Sequence, residues 1–234
     1  MSKILVSGAS SGIGLAISNL YNEKGFSVIP WDITGTNPVD VSSSTSVQNA
    51  TLEISESLDA VVLAAGVSRM AKLVDTTDDD WNFQLNVNAF GVFNCLRSLY
   101  PKVKDGGSIV IIDSCGGLKG APYFSAYCAS KFAVTGLIES ASTEFAERKI
   151  RINGVCPMYV RTPMESRELG WEAKLRGITP AEVFKGYETS TPLGRVSEPE
   201  EIAKAVEFLV SDASSYMTGS MLTISGGAHL GFTL

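Results

Sequence analysis

The chain has 234 residues, of which 44% are hydrophobic and 19% are charged. This length is enough for one sizeable buried core, so we expect a single domain over residues 1–234. The formal net charge of −6 argues against a nucleic-acid or anionic-membrane surface, because such partners need clustered Lys and Arg. No apolar stretch reaches the ~18 residues of a membrane helix, and the start lacks a signal-peptide pattern. We therefore expect a cytoplasmic protein whose partner is a small molecule.

Residue types that form disulfides or bind metals are sparse. The cysteines show no CxxC spacing and lie in apolar segments, which predicts free, buried thiols; they are Cys95, Cys115, Cys128 and Cys156. The only histidine, His229, lies near the end of the sequence, where a satisfied surface or interface role is favoured over catalysis. We expect neither a disulfide nor a metal site.

Short apolar runs alternate with segments of helical length. The predicted strands are 4–7, 28–31, 60–64, 108–113, 150–156 and 221–224, and the predicted helices are 12–24, 43–57, 78–101, 125–148 and 199–211. This alternation predicts an α/β fold of the Rossmann type, a doubly wound parallel sheet with helices on both faces. Residues 157–198 break the rhythm with Thr-Pro pairs and a Gly-Arg turn, which indicates a mobile substrate lid rather than a second domain.

The first predicted strand runs into a glycine-rich turn and then a helix. A pyrophosphate needs close backbone approach, which glycine permits, and a helix N-terminus, whose free amides and dipole favour an anion. The GxxxGxG spacing alone also fits a structural turn, but its position at the first strand of an alternating chain favours dinucleotide binding. The predicted cofactor-binding residues of this turn are Gly8, Ser10, Ser11, Gly12, Ile13 and Gly14.

Asp32 follows the second predicted strand. A carboxylate there can accept hydrogen bonds from the adenosine ribose and repel the 2′-phosphate of NADP, so the sequence favours NAD as the cofactor. No Lys or Arg stands beside Ser10 or Ser11 to neutralise such a phosphate. A simple turn residue at a strand end is the alternative for Asp32. Asp40 is placed either near the adenine or at a helix N-cap.

Tyr127 and Lys131 belong to a predicted helix, where the YxxxK spacing puts both side chains on one face. A tyrosine titrates at about 10 in water, so a nearby cation is needed for it to act as a base at neutral pH. Ser114 ends a predicted strand, at the edge where doubly wound sheets bind ligands, and its hydroxyl can polarise a carbonyl oxygen. Each feature alone is common. Together they predict proton exchange with an alcohol or ketone.

In this order, the motifs resemble those of the classical short-chain dehydrogenase/reductase family over essentially the whole chain. The turn SGASSGIG is similar to the family's TGxxxGxG, with Ser7 in place of threonine. The segment LAAG, residues 63–66, is similar to its NNAG without the asparagines, and NAFG, residues 88–91, matches its NxxG. The segment PMYVRT, residues 157–162, resembles its PGxxxT loop, with Met158 in place of glycine.

The resemblance implies individual roles. Tyr127 is the acid/base, Ser114 orients the substrate oxygen, Lys131 binds the nicotinamide ribose and lowers the Tyr127 pKa, and Asn88 anchors the proton-relay water. Composition alone does not select Asn88 over Asn86. The remaining implied cofactor contacts are Ala65, Gly66, Pro157, Val160 and Thr162. The interval from Asp32 to Asp40 is short, which implies that the helix usually found there is missing.

The substrate pocket is predicted from the lid and its neighbours. Its candidate walls are Gly116, Leu118, Tyr123, Met158, Tyr159, Met164, Trp171, Phe184 and Tyr187, with Arg161, Glu165, Arg167 and Glu168 as polar candidates. Packing within the lid is the alternative for most of them. The lid is similar to that of bacterial polyol, sugar and small secondary-alcohol dehydrogenases. Small residues along helix 125–148 allow close approach of another helix, and family analogy implies a homotetramer or homodimer.

Two other functions fit the same motifs. A 3-oxoacyl-type biosynthetic ketone reductase would favour NADPH and a basic docking patch, against which Asp32 and the acidic composition argue. A non-catalytic NAD-binding sensor on the same fold is the second, since fold does not fix function. Such a sensor need not keep Ser114, Tyr127 and Lys131. The sequence therefore predicts an NAD-dependent short-chain alcohol dehydrogenase or ketone reductase.

Overall fold

Six parallel strands form the centre of the molecule in a computed structural model that describes residues 2–231. They are β1 (Lys3–Ser7), β2 (Ser27–Trp31), β3 (Leu58–Leu63), β4 (Val103–Ile112), β5 (Arg151–Pro157) and β6 (Met221–Ile224). Their order in the sheet is β2-β1-β3-β4-β5-β6, so the direction of winding reverses between β1 and β3. The predicted doubly wound, Rossmann-type sheet is confirmed, and its carboxyl-end crevice at that reversal is where ligands of such sheets bind.

The described part of the chain contains eight α-helices. They are α1 (Gly12–Glu23), α2 (Ser44–Leu52), α3 (Asp78–Gln84), α4 (Gly91–Leu99), α5 (Ser125–Phe145), α6 (Pro163–Arg176), α7 (Pro180–Ser190) and α8 (Pro199–Val210). None of the helices within residues 2–231 is both long and apolar enough to cross a membrane.

The sheet is buried on both faces, which explains why its strands are continuous apolar runs rather than alternating ones. On one face, Leu5 and Ile109 pack with Ile138 of α5. On the other, Ile4 and Val110 pack with side chains of α1 and α8. Successive residues of β1 therefore contribute to opposite cores, as the pleat of a strand requires.

The predicted helix 78–101 is interrupted. Residues Leu85–Phe90 between α3 and α4 form a π-helical turn, which sequence periodicity could not reveal because the apolar spacing changes by only one residue per turn. Helix α2 also ends at Leu52, earlier than the predicted residue 57. Its N-cap is Ser43, whose side chain accepts the Ser46 backbone N–H at 3.3 Å.

The N-cap alternative for Asp40 is therefore wrong. Its carboxylate instead accepts the backbone N–H of Ser42 at 2.9 Å and the Ser42 hydroxyl at 2.6 Å, forming a turn before α2. Residues 32–43, all described, contain no helix, as their short length implies.

The lid segment 157–198 is built mainly from two helices, α6 and α7. Each begins with a capped Thr-Pro pair: the hydroxyl of Thr162 accepts the Glu165 N–H, and that of Thr179 accepts the Glu182 N–H. Ala173, Val183, Tyr187 and Val196 form a small core of their own between them. The lid thus holds its shape by internal packing, beside the carboxyl ends of β4 and β5.

Candidate active site

The glycine turn after β1 has a left-handed backbone, which glycine adopts most readily, at two positions. Gly8 and Gly12 have φ angles of 70° and 52°. A Cβ on Gly8 would also lie 2.8 Å from the Cα of Ala65, and one on Gly14 would collide with the carbonyl oxygen of Gly8. The turn therefore packs closely against the end of β3 and leads directly into the N-terminus of α1. This is a cradle that fits a pyrophosphate.

Ser7 has a structural role that the sequence did not disclose. Its buried hydroxyl accepts the backbone N–H groups of Ala64 at 3.1 Å and Ala65 at 3.2 Å. These bonds tie the end of β1 to the segment 63–66, which lacks the asparagines of the family motif. Ser7 thus supplies the acceptor that positions Ala65 and Gly66 beside the glycine turn.

Asp32 lies at the end of β2, against the same turn. One carboxylate oxygen accepts the backbone N–H of Ser10 at 3.0 Å, and the other accepts the N–H and hydroxyl of Thr34 at 3.0 and 2.9 Å. Partial burial acts to raise the pKa of Asp32, but these hydrogen bonds outweigh it and hold the pKa below its ordinary value. Among the described residues, no Lys or Arg lies within ion-pair distance of Asp32.

A cleft of about 900 Å³ opens beside the glycine turn and beneath the lid. Ser114, Tyr127 and Lys131 all line it, so the structure brings these three residues together from β4 and α5. The Ser114 hydroxyl accepts the backbone N–H of Gly116 at 2.9 Å. Gly116 also leaves room for the phenol ring, since a Cβ there would lie 3.3 Å from Tyr127.

The pKa of Tyr127 is set mainly by burial. Burial raises its pKa, Glu168 raises it further, and the Ser114 hydroxyl is the group that lowers it. The Lys131 Nζ donates to the carbonyl of Ile112 at 2.9 Å and lies 5.8 Å from the centre of the Tyr127 ring. The lowering of the Tyr127 pKa by Lys131 stays a prediction.

Lys131 is itself buried, and burial lowers its pKa while Asp113 opposes that change. Asp113 is a residue that the sequence analysis missed. One carboxylate oxygen accepts the Thr135 hydroxyl at 2.8 Å, and the other has no hydrogen-bond partner. Burial raises the pKa of Asp113, whereas Lys131 lowers it. Asp113 stands one residue before Ser114 at a strand end and belongs to no periodic pattern or motif, so the sequence did not single it out.

Asn88 is distinguished from Asn86 by burial, since Asn88 is buried in the π-helical turn and Asn86 is exposed. Its side-chain oxygen accepts the Val67 N–H at 2.8 Å, and its amide donates to the Val67 carbonyl and the Ser130 hydroxyl, both at 2.9 Å. The amide group thereby links the segment after β3 to α5. Both side-chain donors are committed to these bonds.

The segment after β5 borders the cleft as the PGxxxT resemblance implies. Val160 and Ser197 form an isolated β-bridge. Its two backbone hydrogen bonds join Ser197 to Tyr159 and Arg161, the residues on either side of Val160. Thr162 lies against Gly12, where a Cβ would be 3.3 Å from the threonine methyl group. Pro157 and Met158 line the cleft, so the bulky Met158 is accommodated as part of its wall.

The predicted pocket walls are partly confirmed. Those that line the cleft are Gly116, Leu118, Tyr123, Met158, Tyr159, Met164, Glu165, Glu168 and Tyr187. The other four candidates are not among its lining residues: Trp171 stacks with Arg69, Phe184 stacks with Arg161, and Arg167 is exposed. Three lining residues were not predicted from the sequence: Phe124, Glu172 and Arg176. His229, hydrogen-bonded to Ser225, also borders the cleft unexpectedly.

This arrangement, a glycine-turn dinucleotide cradle beside a cleft with Ser, Tyr and Lys, defines a nicotinamide-dependent oxidoreductase. The chain belongs to the short-chain dehydrogenase/reductase family. A family model described as enoyl-(acyl carrier protein) reductase matches residues 8–229. The 3-oxoacyl-(acyl-carrier-protein) reductase FabG of Thermotoga maritima is 34% identical over 248 residues, which cover 95% of this chain and 96% of the relative.

Solved structures match over nearly the whole chain. The ligand-free aldohexose dehydrogenase of Thermoplasma acidophilum is 28% identical, with a TM-score of 0.89 over 98% of this chain and 94% of its own. The actinorhodin polyketide ketoreductase, solved as a single-residue variant with NADPH, is 26% identical, with a TM-score of 0.92 over 97% of each chain. The family resemblance is thus confirmed.

Proposed function

We propose that this protein transfers a hydride between NAD(H) and a secondary alcohol or its ketone. The observation that carries the choice of NAD is Asp32, an ionised carboxylate hydrogen-bonded to the glycine turn at Ser10. A 2′-phosphate brought to this position would meet negative charge. No described Lys or Arg is paired with that carboxylate to offset the repulsion.

Each residue of the cleft has a proposed role in the reaction. The nicotinamide, when bound, accepts or supplies the hydride at the carbon that bears the oxygen. Tyr127 takes the hydroxyl proton in oxidation and returns it in reduction, and Ser114 holds the same oxygen. Lys131, buried beneath them, binds the ribose and, with Asn88, belongs to the proton path. The cofactor is held by the turn 8–14, Asp32, Asp40, Ala65, Gly66, Pro157, Val160 and Thr162.

Burial of Tyr127 has a chemical consequence for this proposal. In the free protein its raised pKa keeps the phenol protonated, which suits a proton donor to a ketone. Oxidation of an alcohol requires the phenolate, so it requires positive charge from Lys131 and from the oxidised nicotinamide beside the ring. We therefore expect the pKa of Tyr127 to fall when the oxidised cofactor binds.

A biosynthetic 3-oxoacyl reductase is the second candidate, because FabG is a full-length relative and the matching ketoreductase was solved with NADPH. Asp32 argues against it. A non-catalytic NAD-binding sensor is the third, and the joint presence of Ser114, Tyr127 and Lys131 in one cleft argues against that. For the substrate we retain a polyol, a sugar or a small hydroxy compound, which the aldohexose dehydrogenase neighbour supports.

The test is a panel of polyols, sugars, hydroxy acids and cyclic alcohols, followed by NADH absorbance, with NADP in parallel. We expect reduction of NAD with at least one secondary alcohol. Turnover of 3-oxoacyl thioesters with NADPH, and of none of the alcohols, would support the reductase. Cofactor binding without turnover of the panel or the thioesters would support the sensor.

We also propose self-association through the exposed side of α5. An open, mainly apolar groove there is lined by Leu85, Asn86, Ala89, Phe90, Phe93, Ala133, Gly136 and Leu137. Phe90 and Phe93 stack at 5.9 Å and remain about two-fifths exposed, at 41% and 40%. Exposed aromatic patches of this kind mark protein interfaces. The small residues Ala133 and Gly136 allow a second copy of α5 to approach, giving a homodimer or homotetramer.

A further inference from the structure

Helix α6 of the lid turns three carboxylates toward the cleft. Glu165, Glu168 and Glu172 are spaced so that they lie along one side of the helix, and all three line the cleft. Glu172 is fully engaged, because it accepts the Tyr187 hydroxyl at 2.7 Å and forms an ion pair with Arg176 at 2.7 Å. Glu165 and Glu168 form no ion pair within the described part of the chain.

Glu165 is the more buried of these two, with only 5% of its surface exposed. Its Oε1 atom is buried without a hydrogen-bond partner. Such an atom is costly in a protein interior unless a ligand or water satisfies it. Burial raises the pKa of Glu165, although Arg161 opposes the change.

Glu168 lies one turn further along α6 and is the charged group that acts most strongly on Tyr127. The pKa of Glu168 is raised to about 7, mainly by burial and also by Glu165, while the nearby Ser68 hydroxyl opposes the rise. That hydroxyl, from a residue only 3% exposed, has no partner within full hydrogen-bond geometry. Glu168 therefore borders the place where the substrate would meet Tyr127.

Among the described residues, no cation around the cleft forms an ion pair with Glu165 or Glu168. Lys131 donates to Ile112, Arg176 pairs with Glu172, and Arg161 pairs with Glu198 at 3.0 Å. Lys119 lines the cleft with an exposed side chain, and Arg167 is exposed on α6. Glu165, which is buried, and Glu168, which is half-buried, therefore border the substrate position without a cation within ion-pair distance in the described part of the chain. Buried charges are retained in proteins when a partner compensates them.

We propose that the substrate supplies this counter-ion: it is an amino alcohol or amino ketone whose ammonium group binds Glu168, with Glu165 contributing the second negative charge. This inference rests on the proposed alcohol dehydrogenase function and narrows its substrate class. A neutral polyol would donate hydrogen bonds to the same oxygens but leave the charge uncompensated. A hydroxy acid would add a third negative charge.

The test compares three small secondary alcohols that differ in charge: 1-amino-2-propanol, 1,2-propanediol and lactate. Each is titrated by calorimetry into the full-length protein saturated with NADH, which cannot accept a hydride from an alcohol, so the heat reports binding alone. We expect the ammonium compound to bind about tenfold to a hundredfold more tightly than the diol, as hydrogen bonds to charged groups usually give. Lactate should bind most weakly.

Variants then test which carboxyl group causes the preference for the amine. Glu168→Gln keeps the size and polarity of the side chain and should bring the amine and the diol to similar affinities. Glu165→Gln should reduce the difference partly. Glu188→Gln removes the same charge from the lid at its pair with Lys185 on α7, outside the lining of the cleft, and should leave the preference as in the wild type.

The inference is overturned if the diol or lactate binds as tightly as the amine, or if Glu168→Gln and Glu165→Gln both leave the preference intact. NADH formation with the same three compounds judges the dehydrogenase proposal separately. Oxidation of the diol without any preference for the amine would uphold the dehydrogenase and reject the ammonium site. Selective binding of the amine without oxidation of any compound would do the reverse.

Discussion

Asp32 and Ser10 are joined by a hydrogen bond of 3.0 Å between the carboxylate and the backbone N–H. The acid at the end of β2 and the glycine turn after β1 are therefore one unit, and a cofactor seated on the turn meets the charge of Asp32. The bonds from Ser10 and Thr34 also keep that charge in place at neutral pH, since they hold the Asp32 pKa low.

Removing this charge should change cofactor preference. We expect Asp32→Ser to lower kcat/KM with NAD and raise it with NADP, because it removes both an acceptor for the ribose and the repulsion of the 2′-phosphate. Like charges at ~4 Å and an effective dielectric of ~20 repel by about 4 kcal/mol before screening, so even a third of this moves the ratio about tenfold. Steady-state kinetics with both cofactors at one substrate concentration measure the ratio.

Asp32→Asn is the matched control for charge, because it keeps the size of the side chain. It should move the ratio in the same direction as Asp32→Ser. A wild type that already prefers NADP, or a ratio that neither variant changes, would contradict the assignment of Asp32 to the ribose.

Tyr127→Phe should remove turnover while leaving NAD affinity nearly unchanged. The phenol acts on the reacting oxygen in the transition state and contributes little to cofactor binding. Positioned proton transfer is worth about a hundredfold or more, so we expect turnover to fall by at least that factor. Single-turnover rates and fluorescence titration with NADH give the two quantities. Retention of more than about a tenth of the rate, where chemistry limits it, would show that another group transfers the proton.

The sequence was sufficient for the sheet and for three residues that meet in the cleft, because both depend on local signals. Each strand is a short apolar run between turn residues, and Ser114, Tyr127 and Lys131 occur at recognisable spacings. What it could not reveal depends on contacts between distant segments. The π-helical turn at Asn88, the bridge from Ser7 to Ala65 and the burial of Asp113 have no periodic signature.

The Tyr127 pKa illustrates the same limit in electrostatic terms. The YxxxK spacing correctly predicted that Lys131 lies on the same side of α5, but spacing does not tell where the Nζ atom points. In the structure that atom donates to the Ile112 carbonyl, and burial has the largest effect on the Tyr127 pKa. Glu168, which raises the Tyr127 pKa, comes from a lid helix far away in the sequence.

Asn88 should contribute measurably to stability as well as to the proposed proton path. In Asn88→Ala the Val67 N–H and carbonyl and the Ser130 hydroxyl all lose a side-chain partner. We expect the free energy of unfolding to fall by about 1–3 kcal/mol, the usual cost of leaving buried polar groups unsatisfied. Urea denaturation measures it.

Asn86→Ala is the control, since Asn86 is exposed in the same π-helical turn. It should change stability by less than about 0.5 kcal/mol. If Asn88→Ala unfolds at the same urea concentration as the wild type, these three hydrogen bonds do not stabilise the fold, and the burial argument fails.

Glu168 should make the free protein less stable as pH rises. Its pKa is raised in the folded state from an ordinary 4.5 to about 7, so the folded protein binds this proton more tightly than the unfolded chain does. The resulting stabilisation is complete below about pH 4.5 and is lost as pH rises through about 7. The groups facing Glu168 are Glu165, Arg167 and Glu172 on α6 and Tyr127 on α5.

Glu168→Gln removes this titration while the other charges remain, so the difference between variant and wild type isolates it. Relative to wild type, the variant should gain stability between about pH 5 and about pH 8, by up to about 3 kcal/mol from the pKa difference. Urea unfolding of the cofactor-free protein at both pH values measures this gain. The control is Glu53→Gln at an exposed position at the end of α2, which should leave the pH dependence of the unfolding free energy unchanged. If the free energy of unfolding of Glu168→Gln depends on pH as that of the wild type does, the Glu168 carboxyl of the wild type is ionised and solvated at neutral pH, and the lid does not bury it.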